Sequence, residues 1–470
     1  MTHSRPSATP CSPNPRHTPA LRDRRVLITG AARGIGAGLA DLLTAHGARV
    51  ALSGLEPELL AEVEARTGFL CAFPELRSGR AHSNPQAVLA AILADATNLG
   101  IERMANASQG VTYAQLAWTH GWYVSEENYA AGLRHLVDAQ AALPLTRVWG
   151  DGTASSSDGQ FFRSGRRGAA GSTNARYDRE PGQKIYAHVA DTYAPYHVRL
   201  ISATAAEAPY VLDGLVAHGC GIEPATHYAD TGGASDHVFA LAHLLGFRFV
   251  PRLRDLADRR LGLFPGTARP EALAKLIGRP FNIAAIRERW DEIVRLAASV
   301  KAGVVLPSVM LKKLAAYRRQ NRLDFALQEL GRIERTLFTL DWIEQPEQRR
   351  RATRELNKGE AENALKRAIF FHRIGRIRDH ALQAQSHRAS ALNLVAGAIV
   401  LWNTTYLQAA RMHLANLGRP VPPDLLQHLS PLGWQHINLT GDYLWTDPDA
   451  PSTALRPLRQ MRAVEGTAKP

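Results

Sequence analysis

The sequence has 470 residues, 45% of them hydrophobic and 21% charged, with a net charge of +13. That length and balance suit two or three packed domains and exclude a disordered or fibrous chain. Three cysteines far apart (Cys11, Cys71, Cys220) exclude a disulfide framework and a Cys-ligated metal, and they predict a reducing, cytoplasmic setting. The basic excess suits a polyanionic partner, nucleic acid first, although an Arg-rich composition alone accounts for it equally well.

In chain order, residues 1–20 carry five prolines and no apolar core, which predicts a disordered leader rather than a signal peptide. Residues 21–70 read as one β-α-β pattern: strand Val26–Ile28, a glycine turn, helix Ile35–His46, strand Arg49–Ser53 and a helical "PELLAEVEART". In the turn, Thr29-Gly30-x-x-x-Gly34-x-Gly36 would let backbone approach a pyrophosphate at a helix N-terminus. This pattern resembles the short-chain dehydrogenase family. That family also needs a Tyr acid with Lys four residues later, and none of the twelve tyrosines has one. The segment is therefore read as a truncated, partial Rossmann-like fragment with no nicotinamide cofactor. The alternative is an NAD(P)-binding oxidoreductase using Gly30, Gly34 and Gly36.

Residues 73–145 read as helical. From residue 146 strand-like pieces appear: "TRVWGDG", "KIYAHVADTY", "YHVRLISATA", "ATHYADT" and "FRFVP", with a helix over Ser235–Leu245. About 252–350 is helical and basic. There Leu327, Leu330, Ile333, Leu337 and Leu340 predict one buried helix face. Long helices continue to about Leu417, and 451–470 read as a flexible tail. The longest apolar run, Ala391–Trp402, contains Asn393 and is shorter than the ~18 residues of a membrane span, so no membrane partner is expected.

Three acids stand out. Asp151 ends the apolar strand "TRVWGD", Asp230 ends "THYAD", and Glu360 lies in the helical "LNKGEAENALKRAIFF". Two strand-end carboxylates and one from a helix suit a pair of Mg²⁺ ions, hard cations that take oxygen ligands and clamp both oxygens of an in-line phosphoryl transfer. Asp158, seven residues on, is the alternative first ligand or else a turn residue. Asp236 reads as a helix cap or first-turn residue, and Glu355 and Glu362 as solvated helix charges.

The blocks "ADATNLGIERMA", "WGDGTASSSDGQ", "HYADTGGASDHVF", "LNKGEAENALKRAIFFHRIGRIRD" and "LSPLGWQHINLTGDYLW" resemble, in order, the DDE transposases of the Tn-three family of replicative, cointegrate-forming transposons. The resemblance runs over roughly 73–450. It implies an α/β fold: an RNase H-like catalytic domain over 146–450, with a large helical insertion (about 252–350) and C-terminal helices. It also implies Asp151, Asp230 and Glu360 as catalytic, metal-binding residues, Mg²⁺ as cofactor, and transposon-end and target DNA as partners. Homo-oligomerisation is left open.

Candidate DNA contacts are Arg163, Arg166 and Arg167 in "FFRSGRRGAAGS", and Lys312 and Lys313 with Arg318, Arg319 and Arg322 in the insertion. Trp149 reads as core, and Trp434 and Trp445 as buried anchors or base-stacking platforms. Family members are longer, with N-terminal regions that read the terminal repeats. Here the dehydrogenase-like segment stands in that place, so a gene fusion with weakly specific nicking or strand transfer is expected. A non-catalytic DNA-binding remnant is the remaining alternative.

Overall fold

The structure, a computed structural model, describes residues 25–29, 49–53, 57–164, 172–175, 180–316, 321–379, 381–437 and 443–445. Strands β1 (Arg25–Thr29) and β2 (Arg49–Ser53) pair in parallel, Val26 opposite Val50. Gly30, Gly34, Gly36 and the helix expected between these strands lie outside the described residues. Helix α1 (Pro57–Thr67) was expected to close this fragment. Instead it buries Leu59, Leu60 and Val63 in the largest core of the protein. Glu62 Oε2 also accepts hydrogen bonds from Trp402 Nε1 (2.8 Å) and the Tyr406 hydroxyl (3.1 Å).

That core belongs to a helical body. Helix α2 (Pro85–Ala96) starts with Pro at its first position and Asn84 as cap, and every residue from Ala87 to Ala96 is buried. A helix apolar all round belongs in an interior. Helix α3 (Tyr113–Tyr123) opens on a capping box of Thr112 and Gln115, and α4 (Glu126–Ala142) on Ser125. All of them pack around α10 (Leu382–Asn416), whose 35 residues span about 52 Å. By length and composition α10 is apolar enough to cross a membrane, but 72% of its most apolar stretch is buried inside the protein. The run Ala391–Trp402 is the middle of this core helix.

The second body is a sheet. Strands β3 (Ala154–Arg163), β4 (Pro181–Ala190) and β5 (Pro195–Ser202) form an antiparallel meander. Strand β6 (Thr226–Ala229) pairs in parallel with β3, and β7 (Arg248–Pro251) in parallel with β6. The order is β5-β4-β3-β6-β7, and the two-residue strand Ser172–Thr173 pairs with the start of β4.

"TRVWGDG" is not a strand. Pro144 opens a 3₁₀ helix over Pro144–Val148, Trp149 packs edge-on against Tyr193, and β3 starts only at Ala154. Gly150 is required here, because a Cβ would lie 2.1 Å from the Asp191 carboxyl carbon. The strand itself is polar yet buried. On one face Ser155 and Ser157 bond the two ring nitrogens of His227, each at 2.8 Å, and Ser157 also meets the Tyr186 hydroxyl. Burial holds His227 well below the usual imidazole range, so it serves this network as a neutral ring.

Helix α5 (Asp236–Leu245) follows β6, with Ser235 as its cap and Asp236 in its first turn. Between β7 and helix α9 (Pro346–Ile369) lie the helices of the insertion. They are a short turn of helix at Ile283–Glu288, then α6 (Trp290–Lys301), α7 (Pro307–Ala316) and α8 (Arg322–Glu344). On α8 the expected stripe holds only in part: Leu327 and Leu330 are buried, whereas Leu337 and Leu340 are 54% and 42% exposed. The second half of α8 buries Gly331, Phe338 and Trp342 instead. Gly331 crosses α5 so closely that a Cβ would sit 1.7 Å from the Asp236 carbonyl oxygen, and this contact lies on the same face as Leu327, Phe338 and Trp342, from which the leucine stripe drifts away.

The C-terminal strand Tyr443–Leu444 pairs with Ser108–Gln109. Trp445 is buried, its ring N–H bonded to Ser108 Oγ at 3.1 Å, and Trp434 packs against the same core. Both act as anchors.

Candidate active site

Parallel pairing sets the C-terminal end of β6 beside the middle of β3. Ser157 stands opposite Ala229, so the next residues, Asp158 and Asp230, lie side by side at the strand spacing of about 4.8 Å. Asp230 keeps an extended backbone (φ −73°, ψ 169°) beyond the end of β6. One strand further, Ala229 stands opposite Pro251, which brings Arg252 beside Asp230.

Asp151 is elsewhere. It precedes the start of β3, and Ala154 is already four strand residues, about 13 Å, from Asp158. It is exposed, and its Oδ1 accepts from the Thr153 hydroxyl (2.5 Å) and backbone N–H (3.1 Å). These bonds hold its carboxyl below the usual range. The sequence reading put Asp151 at a strand end, but the 3₁₀ turn removes that strand, and the structure does not bring Asp151 to Asp230. Asp158 holds that position, and it is a mid-strand residue rather than a turn residue.

Helix α9 lies across this face. Gly359 leaves room beside Ser156, Asn363 Nδ2 donates to Asp158 Oδ2 (2.9 Å), and Phe370 meets Phe162 edge-on. Lys358 reaches to the β4 side, donating to the Asp191 carbonyl at 2.7 Å. Successive helical residues turn by about 100°. With Gly359 facing the sheet and Lys358 on the β4 flank, Glu360 falls on the flank of α9 away from Lys358. It is exposed, and it lies one turn before Asn363 on the same stripe.

Glu355 and Glu362 are not solvated charges. They are 3% and 1% exposed, paired with Lys358 and Lys366, each at 2.8 Å. Of the three glutamates, Glu360 alone presents its side chain to solvent.

The charges around Asp158 are crowded. Burial, then the carboxylates of Glu207 and Asp230, raise its pKa above the usual range. Backbone N–H of Gly159 (2.8 Å) and the Asn363 amide hold its two oxygens. Asp230 is met by Arg252 Nε at 3.1 Å and Arg254 Nη2 at 3.2 Å. Sequence reasoning missed Asn363, Arg252 and Arg254. The signals were available: Asn363 follows Glu360 by three residues, and Arg252 and Arg254 alternate after the apolar "FRFVP".

Of the basic candidates, Arg163 is exposed and pairs with Glu180 (2.7 Å), five residues beyond Asp158 along β3. Lys312 stands over the Tyr210 ring (4.4 Å), and Lys313 is exposed on α7. Arg322 pairs with Glu288 at 3.3 Å. Arg166, Arg167, Arg318 and Arg319 lie outside the described residues.

The sheet thus sets acidic side chains side by side on two adjacent parallel strands, with a long helix lying across them. The model of the Tn3 transposase DDE domain matches residues 58–443, and the chain belongs to that family. It is 51% identical over 389 residues to the transposase for transposon Tn501 of Pseudomonas aeruginosa, covering 83% of this chain and 39% of that protein. It is 50% identical over 407 residues to the transposase for transposon Tn21 of Escherichia coli, covering 86% and 41%. With the transposase for transposon gamma-delta of Escherichia coli (strain K12) the identity is 33% over 396 residues, covering 83% and 40%. The chain thus spans about two fifths of the length of the curated relatives it matches.

Proposed function

We propose that this chain carries the metal-dependent DNA cleavage and strand-transfer chemistry of a replicative transposase, with Asp158, Asp230 and Glu360 as its metal-binding carboxylates. The observation that carries the reading is the juxtaposition of Asp158 and Asp230 on neighbouring parallel strands, with α9 bonded to Asp158 through Asn363; Glu360, one turn before Asn363 and exposed, is the proposed third ligand. The meander followed by two parallel strands supports an RNase H-like core, and the helices between β7 and α9 its insertion.

The donor set fits Mg²⁺. All three side chains offer oxygen, and burial together with the Glu207 and Asp230 carboxylates raises the Asp158 pKa, a crowding of negative charge that a bound cation relieves. Bound there, Mg²⁺ would acidify the attacking hydroxyl or water and offset charge on the scissile phosphate. The chain's own part is positioning. The Asn363 amide fixes the Asp158 carboxylate, and the parallel register fixes its spacing from Asp230. Arg252 and Arg254 hold Asp230 in its rotamer and add positive charge beside the site for a DNA phosphate. Arg163, Lys312 and Lys313 are further candidates for the phosphate path.

DNA is the proposed partner, and the bacterial cytoplasm the proposed place. We read the β1–β2 pair, which lies outside the matched region, as the rest of a fused dehydrogenase-like unit without cofactor function. Nicking of supercoiled plasmid tests the activity. The expected result is Mg²⁺-dependent nicking that falls to background in Asp230→Ala, and equal nicking by both proteins overturns it.

A further inference from the structure

A second cluster of metal-ligating side chains lies in the helical body, on elements other than those of the carboxylate site. Asp95 on α2, His120 on α3 and His387 on α10 bring a carboxylate oxygen and two ring nitrogens within 4.8 Å of one another. His120 Nε2 is 3.0 Å from Asp95 Oδ2. In a tetrahedral zinc site, bonds of about 2.0–2.1 Å put neighbouring donor atoms roughly 3.3 Å apart. Two of the donors already stand near that spacing, and the third lies within 4.8 Å of both.

His387 supplies the independent sign of a ligand. It is 5% exposed, and its Nδ1 has no hydrogen-bond partner. Buried ring nitrogens are ordinarily paired, and an unpaired one costs about 1–3 kcal/mol. The surroundings suit a cation. The Tyr129 hydroxyl donates to Asp95 Oδ2 at 3.0 Å, the kind of outer bond that orients a ligating carboxylate. Arg388, 4.0 Å from Asp95 Oδ1, is itself neutralised by Asp379, with Nη2 to Oδ1 at 3.0 Å.

We propose that Asp95, His120 and His387 hold one divalent transition metal of the zinc class, with a fourth position open to water. Imidazole donors select zinc-like ions over Mg²⁺. On binding, the proton shared between His120 and Asp95 leaves to solvent, and both nitrogens and the carboxylate oxygen donate lone pairs to the ion. The ion then ties α2 and α3 to α10, next to the Arg388–Asp379 pair. This site is independent of the proposed catalytic reading.

The test uses the full chain carrying Asp230→Ala, stripped with chelator and titrated with Co²⁺ alone, so that the outcome does not depend on the carboxylate site. The expected result is one equivalent of Co²⁺ bound with the intense visible absorption of a tetrahedral ion, displaced by Zn²⁺, and a higher Tm with Zn²⁺. Adding His387→Ala weakens binding by at least about 100-fold while far-UV circular dichroism is kept. If that variant does not fold, His120→Ala, on the more exposed ring, gives the same reading. No tetrahedral Co²⁺ signal, or binding unchanged in a folded histidine variant, overturns the proposal.

Discussion

Asp158→Asn is expected to abolish Mg²⁺-dependent nicking, while Asp151→Asn leaves it within a few-fold of the parent chain. The parallel register puts Asp158, not Asp151, beside Asp230. Asn keeps the shape but offers one accepting oxygen where Asp158 accepts at both, from Gly159 and from Asn363, and it removes the anionic oxygen that a hard cation requires. If the lost charge stabilisation is about 4 kcal/mol, the rate falls about 10³-fold. Asp151→Asn breaks no strand and no carboxylate pair. It loses charge only in bonds to its own turn at Thr153. Comparing initial rates of plasmid nicking for the two variants checks this. Loss of activity in Asp151→Asn with Asp158→Asn active would reverse the assignment.

Lys366→Met is expected to destabilise the chain by about 3–5 kcal/mol, because it leaves Glu362 unpaired in the core of α9's packing. Both side chains of this pair are 1% exposed, and their charged atoms are 2.8 Å apart. Burial already raises the Glu362 pKa, and Lys366 is the one charge pulling it back. Without the lysine, the folded-state pKa moves further above the unfolded value. The folded chain then binds a proton that the unfolded chain releases. The penalty is therefore smallest below the unfolded carboxylate pKa, and it grows as pH rises through the folded one. Denaturant melts at pH 5 and pH 8 check the sign: the variant loses more at pH 8. Glu362→Gln combined with Lys366→Met should recover most of the loss, since removing both charges removes the unpaired one.

Much of the sheet was legible in the sequence. "KIYAHVA", "THYA" and "FRFVP" are apolar enough to announce strands, and Asp230 could be read directly because it follows one. Asp158 was read as the alternative first ligand or a turn residue, and its place in a strand was missed for a physical reason. Its strand, "ASSSDGQFFR", is buried by hydroxyls rather than hydrocarbon, and those hydroxyls are satisfied by His227 and Tyr186 from other strands. Hydrophobic periodicity cannot see such a strand. The apolar "VW" before Asp151 drew the reading there, although Pro144 had already turned that segment into a 3₁₀ helix.

Helix α9 misled in the same way. Its buried face carries Glu355, Lys358, Glu362 and Lys366 in paired form, so charge did not mark the solvent side. Glu360 was nonetheless singled out, and it is the one of the three glutamates whose side chain is exposed. On α8, the buried stripe follows Leu327, Gly331, Phe338 and Trp342, and the leucines alone drew the reading off that face.

The central claim is that three carboxylates, from β3, the end of β6 and α9, share a cation. Soaking crystals of this chain with Mn²⁺ and locating the ion by anomalous scattering tests it most directly. The account predicts a peak between Asp158 and Asp230 on the side of Glu360, absent from Asp230→Ala crystals soaked in the same way. A peak at Asp151 instead, or none at the paired aspartates, would contradict it.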